Sequence, residues 1–223
     1  EVKKETKNFC VIRHDIEYSI ERALKLAELE NQFGIKSTYL VQLRNNCYNA
    51  ISDYNVSLLK KIYNLGHNIG LHVHFGLEDH YTSVENLIEY DISILSKALK
   101  IDIVHFSFHR PTISLLKNYI KIDGLINLYD KLYFEAFDDG KKPEKLKVDY
   151  IADSNHQWKY GYPFDIDYDS YPFRMQLLTH PYSWSEEGSE NLSNFNNVVR
   201  ERTRELTNDM ATETKSFPKE LLI

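Results

Sequence analysis

Long apolar runs are missing from this chain of 223 residues: no stretch approaches the ~20 apolar residues that a membrane-spanning helix needs, which excludes membrane insertion of that kind. The polar start EVKKETKN has no signal-peptide core, so a soluble cytoplasmic protein is the simplest expectation. The chain begins without Met, which leaves room for an upstream segment. An excess of positive charge is missing too. Lys and Arg number 27 against 33 Asp and Glu, a net charge of −6, with no basic stripe to neutralise phosphates, so nucleic acid is excluded as a partner. Cysteine is scarce: Cys10 and Cys47 lie inside or just after expected strands, lack metal-type spacing and are expected as buried thiols. There is no internal repeat of fixed period and no low-complexity tract.

What the chain does have is tyrosine and phenylalanine, 16 and 11 residues, with Tyr concentrated in the loop-like stretch 158–171. Aromatics exposed in this way suit the apolar faces of sugar rings. The length fits one α/β domain with a full core, taken here as 1–223.

The stretch FCVIRHDIE, residues 9–17, organises the rest. An apolar, β-branched run reads as a strand buried on both faces, and it ends in Arg, His and Asp, where parallel α/β folds place their chemistry. Asp15 and Glu17 stand at i, i+2, so on a continuing strand both carboxylates point to one side. Ser19 then precedes a helical pattern that Gly34 stops. Residues 36–43 read as a second strand, Ser52 to Gly66 as a second helix, and HNIGLHVHFG as a third strand. Thr82 with Glu85 forms a capping box before a third helix, and residues 103–109 are the fourth strand, leaving sharply at Pro111.

The order β-α-β-α-β-α-β calls for a parallel sheet with right-handed crossovers. Further on, 113–122 reads as a short helix, 125–130 as a strand, 134–147 as a charged loop, and VDYIADSNHQW and RMQLLTHPYSW as strands running into polar loops. Residues 190–217 read as a solvated terminal helix.

Five strand ends thus carry Asp15 with Glu17, His72 with His74, His109 with Arg110, Asp153 with His156, and His180. A parallel sheet brings all its carboxyl ends to one face. One carboxylate and two imidazoles make a normal ligand set for a zinc-type ion with an open position. A second carboxylate and a separate His would supply a base and an acid.

In that order and spacing the motifs resemble the polysaccharide deacetylases of the NodB-homology type, carbohydrate esterase family four, in their divergent branch opening on RHD(V/I)D. Here the opening motif is RHDIE, residues 13–17; GHNIGLHVH (67–74), HRP (109–111), IADSNHQW (151–158) and LLTHP (177–181) resemble the family's later motifs. The resemblance covers about residues 9–184, leaving 190–223 as a terminal helix. It implies an α/β fold, a distorted (β/α) barrel with six to eight mainly parallel strands. It also implies metal-dependent removal of an acyl group, N-acetyl foremost, from a sugar or glycan in surface polysaccharide biosynthesis.

By position, the resemblance makes Asp15 the base, His180 the acid, and Arg110 the charge that keeps Asp15 ionised, with Glu17 and His72 as ligands of Zn2+. Two departures stand out. The family usually has Asp where Glu17 stands, and it spaces its two His by four residues, whereas position 76 is Gly and the second His is His74. The second imidazole is therefore His74 or His109. Asp153, Trp158 and Trp184 are the candidate substrate contacts; His14 is expected to be structural, and Asp138 with Asp139 to be part of a solvated loop. Two other readings stay open. One is a silent member that binds glycans through Trp158, Tyr160, Tyr162 and Trp184, and the other is a hydrolase of the same fold acting on a non-sugar amide.

Overall fold

The computed structural model describes residues 7–75, 83–136, 147–158, 160–166, 173–185 and 190–222. In chain order the elements are β1 (Phe9–Ile16), α1 (Ile20–Gln32), β2 (Thr38–Val41), α2 (Asp53–Asn64), β3 (Asn68–Val73), α3 (Val84–Leu99), β4 (His105–Phe108), α4 (Ile113–Asn118), β5 (Ile126–Asn127), β6 (Asp149–Ala152), β7 (Arg174–Thr179) and α5 (Asn191–Glu213). Helix starts follow their hydroxyl caps: Ser19, Ser52, Ser83 and Thr112 each accept a hydrogen bond from the backbone N–H three residues on. Thr82 of the expected capping box lies outside the described residues, and Ser83 does the capping. The expected strand at 125–130 is reduced to Ile126–Asn127.

The seven strands form one sheet in the order β5-β4-β3-β2-β1-β7-β6, and every pairing is parallel. The sheet curls on itself. Gln176 on β7 donates through Nε2 to the carbonyl oxygens of Leu128 (2.7 Å) and Tyr133 (3.2 Å), and Arg13 on β1 donates to the Tyr129 hydroxyl at 2.7 Å. Residues 128–133 follow β5, at the far edge of the sheet, so central strands reach them only across a curved interior. Among the described residues the seam between β5 and β6 carries no strand pairing, and rings meet there: Phe134 lies edge-on to Tyr150 at 5.1 Å, and Tyr150 meets Tyr160 at 5.9 Å. This is the distorted, incompletely closed barrel that the motif order implies. Gly70 marks a close approach within it: a Cβ there would lie 2.6 Å from Leu40 Cδ2 and 2.8 Å from the His105 carbonyl oxygen, so no larger residue fits between β2 and β4.

The main core lies between the sheet and α1, α2 and α3, where Ile16, Ala23, Ala27, Leu59, Ile62, Ile88, Leu95 and Leu99 are buried. Cys10 and Cys47 are both exposed, contrary to expectation. Cys10 sits where β1 has β7 as its only strand partner, before β2 joins at Arg13, and Cys47 follows β2 in a loop. Alternation along β1 divides its polar residues. Arg13 and Asp15 enter the barrel, while His14 goes outward under α1, as expected of a structural histidine.

His14 bonds Thr179 Oγ1 at 2.7 Å through Nδ1 and Glu30 Oε1 at 2.9 Å through Nε2. Glu30 Oε2 accepts from Ser37 Oγ at 2.6 Å and Tyr39 OH at 2.8 Å. His67 completes the group, donating through Nε2 to the Ala27 carbonyl at 3.0 Å while its Nδ1 accepts from Ser37 N at 3.3 Å. Burial alone would raise the Glu30 carboxyl, but the bonds and charge from His14 and the hydroxyls of Ser37 and Tyr39 hold it below its ordinary value. Burial lowers His67. Both groups bind protons more readily in the unfolded chain, so both contributions to stability are complete at neutral pH and are lost on acidification. His67 loses its share below about 6.5 and Glu30 below about 4.5. Urea midpoints measured across pH should therefore fall in these two windows, and Glu30→Gln should remove the lower one while costing about 3 kcal/mol at pH 7.

Candidate active site

Inside the barrel, at the carboxyl ends of the strands, period-2 alternation sets Asp15 of β1 and Glu17 just beyond it on one side. β3 contributes His72, held by β4: the Ser107 hydroxyl lies 2.8 Å from His72 Nδ1, and the two residues are register partners. Ser107 can accept an Nδ1–H, the tautomer that leaves a lone pair on Nε2. Burial, with the charges of Arg13 and His109, lowers His72 well below its ordinary value, so its ring is neutral. His109, two residues after Ser107, brings its Nδ1 to 3.3 Å from His72 Nε2 and 3.2 Å from Glu17 Oε1. Ligand atoms of Glu17, His72 and His109 all lie within 4.8 Å of one another.

These residues fit a metal. Donors about 2.0–2.1 Å from a tetrahedral zinc are roughly 3.3 Å apart, which matches the two shorter separations, and a carboxylate with two imidazoles suits such an ion. Burial would raise the Glu17 carboxyl, but the hydrogen bond from His109 and the nearby His180, His109 and His72 keep it low and available as a ligand. The extra methylene of Glu17 is accommodated in this way: its Oε1 reaches His109 rather than stopping beside Asp15. His74 stands apart from this set; its ring lies 5.1 Å from that of His109, and its Nδ1 is buried with no hydrogen-bond partner among the described residues. Of the two imidazoles left open by the sequence, the one that converges on Glu17 and His72 is His109.

Asp15 adjoins the same cluster, with Oδ2 3.4 Å from His72 Nε2. Its charge partner is Arg13, whose Nη2 donates to Oδ2 at 3.2 Å, and not the expected Arg110. Arg110 takes a left-handed conformation, φ 48°, as the chain turns out of β4 toward Pro111, and its side chain is exposed at the rim. Arg13 is fully buried, two residues from Asp15 on the same face, with its guanidinium 4.4 Å over the Tyr129 ring. Asp15 Oδ1 remains buried without a partner among the described residues, an oxygen available to accept a proton.

On the opposite side, β7 delivers His180 with Nε2 3.8 Å from Glu17 Oε1. Asp153, after β6, fixes this ring: Oδ1 lies 2.7 Å from His180 Nδ1, and both oxygens accept from the His180 backbone N–H at 3.1 Å. Burial would lower His180, but the bond to Asp153 and the charges of Asp15, Asp153 and Glu17 raise it, so it carries a proton more readily than His72. Asp153 was expected to touch substrate. It is instead buried and fully engaged, its Oδ2 accepting from Trp184 Nε1 at 2.8 Å. Trp184 is half exposed and packs edge-on with Trp158 at 6.3 Å; neither indole lines the cavity over the site. Sequence reasoning assigned no role to Arg13 or Ser107, although each stands two residues from a candidate site residue on the same strand face.

The cavity measures about 570 Å³ and is bounded by Asp15, Glu17, His72, His109, Arg110 and His180 on its ionic side. The 3-10 turn Ser154–His156 supplies a polar rim, with Asn155 and His156 both at positive φ. Asp138, Asp139 and His80 lie outside the described residues, among which no helix is long and apolar enough to cross a membrane.

No family model matches the chain, and no curated protein matches it. Among solved structures the fold is similar to family four carbohydrate esterases and deacetylases. One is a family 4 acetyl xylan esterase from Clostridium thermocellum in complex with a cobalt ion, at 12% identity and a TM-score of 0.47, covering 86% of this chain and 82% of that one. Another is a polysaccharide deacetylase from Bacillus cereus, at 15% identity and TM-score 0.46, covering 87% and 88%. A third is a CE4 family pseudoenzyme from Bacillus anthracis, at 10% and 0.46, covering 90% and 62%. At such identities and scores these likenesses assign no activity; that has to come from the side chains themselves.

Zinc titrated into chelator-stripped protein should bind at about one ion per chain, and Glu17→Ala, His72→Ala and His109→Ala should each abolish this in calorimetry. Ser107→Ala should weaken it by about 10- to 100-fold, and His74→Ala should leave it intact.

Proposed function

We propose that the chain is a metal-dependent hydrolase that removes an acyl group from a sugar or glycan in surface polysaccharide biosynthesis. The observation that carries this is the convergence of Glu17, His72 and His109, with Asp15 and its Arg13 partner on one side and His180 on the other. The roles of these residues follow from their surroundings.

Glu17 Oε1, His72 Nε2 and His109 Nδ1 would hold a zinc-type ion. When bound, the ion supplies Lewis acidity toward the acyl carbonyl and toward water. Asp15, oriented by its bond from Arg13, accepts the proton of the attacking water at Oδ1, which has no partner among the described residues. His180 donates its Nε2 proton to the departing nitrogen or oxygen as the bond to the acyl carbon breaks. Asp153 keeps that Nε2 aimed inward and favours the protonated ring that the step consumes. Two carboxylates thus take different duties: Glu17, among imidazoles, binds, while Asp15, beside a guanidinium, moves a proton. Arg110 at the rim would meet the polar groups of a sugar, and Trp158 with Trp184, outside the cavity, would meet only the part of a glycan that extends beyond it.

With zinc-loaded protein and acylated oligosaccharides, Asp15→Asn and His180→Ala should each lower kcat by about 10²- to 10⁴-fold with the fold retained. Asp153→Asn should also lower kcat and shift its alkaline limb to lower pH, because His180 would lose the carboxylate that holds its proton. Wild-type turnover in either of the first two variants would remove the assignment.

A further inference from the structure

The cavity is divided by chemistry. Its ionic side has been described, and Ser154, Asn155, His156 and Gln157 give it a polar rim. One stretch of the remaining wall is built of rings and aliphatic side chains: Ile113 and Leu116 of α4, Tyr129 and Phe134 after β5, Tyr150 of β6 and Leu178 of β7. Tyr129, Phe134, Tyr150 and Leu178 are buried, and the first three interlock edge-on or tilted, Tyr129 with Phe134 at 4.9 Å and Phe134 with Tyr150 at 5.1 Å. This lobe begins one side chain away from the base, since Arg13 Nη2 bonds both Asp15 and the Tyr129 hydroxyl.

α4 is the telling element. It has no fully buried residue, yet Ile113 and Leu116, at i and i+3 on one helix face, both border the cavity and remain partly exposed to it. The cavity of about 570 Å³ lies in the range that encloses a drug-sized ligand, room for a sugar head on the polar side together with a chain longer than two carbons against this wall.

A substrate with its scissile carbonyl at Glu17, His72 and His109 must place one of its ends against this wall. The hydroxyls of Tyr129 and Tyr150 in this wall are engaged with Arg13 and with each other, so a sugar's hydroxyls would lose water there for few partners, whereas the Ser154 to Gln157 rim offers them hydrogen bonds. The acyl group is the end that gains from apolar contact. We infer that the aromatic and aliphatic lobe under α4 is an acyl-chain site, and that the substrate carries an acyl group longer than acetyl, about four to eight carbons, on a polar sugar head. This rests on the acyl-hydrolase reading of the site and departs from the N-acetyl expectation drawn from the motifs.

The test is calorimetric binding of N-acyl-D-glucosamines, from acetyl through butanoyl and hexanoyl to octanoyl, to chelator-stripped protein. Each methylene that enters the lobe should tighten Kd by about fourfold, with the gain ending where the lobe is full. Leu116→Trp, which fills the lobe, should flatten the series, and thermal unfolding would check that this variant folds. A flat or weakening series in the wild-type protein overturns the inference, as does a series equally steep in folded Leu116→Trp, which would report nonspecific association. Because the titration needs no metal and no turnover, a steep series in a protein that takes up no zinc would keep the acyl site and remove the hydrolase. Zinc uptake with a flat series would do the reverse.

Discussion

A guanidinium sealed inside a barrel is a fixed charge that needs a counter-charge buried with it, and the pairing of Arg13 with Asp15 meets that condition. Both residues come from one strand, so the pair forms as soon as β1 is extended and needs no loop to close over it. The guanidinium is itself held from the opposite wall by the hydroxyl and ring of Tyr129. A fully buried cation therefore links the base, the middle of the sheet and the chain after β5, across the side where the barrel is not closed by strand pairing. Removing it would leave Asp15 buried and uncompensated, the costly way to break such a pair.

β1 separates two polar systems that would interfere if they shared a face. Inward, Arg13, Asp15 and Glu17 set up the chemistry. Outward, His14 and Glu30, with Ser37, Tyr39 and His67, pin α1 to β1 and β2 under nearly complete burial. The outer system fixes the height of β1 relative to its neighbours, and with it the depth of Asp15. Arg22 performs a related service for α5, bonding Glu201, Asn194 and the Tyr182 carbonyl, so that Phe195 and Asn191 stand at the cavity edge. His72 and His180 are tuned in opposite directions: burial, with the charges of Arg13 and His109, lowers His72, while the bond to Asp153 and the nearby carboxylates outweigh burial and raise His180.

Much of this was legible in the chain. Apolar runs ending in His or Asp marked β1, β3, β4, β6 and β7, alternation with amphipathic helices required a parallel sheet, and Ser caps with Gly stops located α1 and α2. Period 2 also placed Arg13 beside Asp15 and Ser107 beside His109, although neither role was read there. The short β5 was overdrawn, because two residues of strand pairing leave almost no periodicity, and the cysteines were misjudged, because exposure depends on which neighbour a strand lacks at each position.

The sequence by itself determined which residues gather at the carboxyl end of the sheet, since parallel pairing sends every such end to one face whatever the details. Only the tertiary structure decided how they divide the work. Whether Asp15 meets Arg13 or Arg110, whether Glu17 and His72 are joined by His74 or His109, and whether Asp153 faces a substrate or His180 are matters of a few ångströms between strands far apart in sequence. Those distances are set by the curl of the sheet and by how a turn such as Arg110 to Pro111 leaves its strand, and no local pattern of residues encodes them.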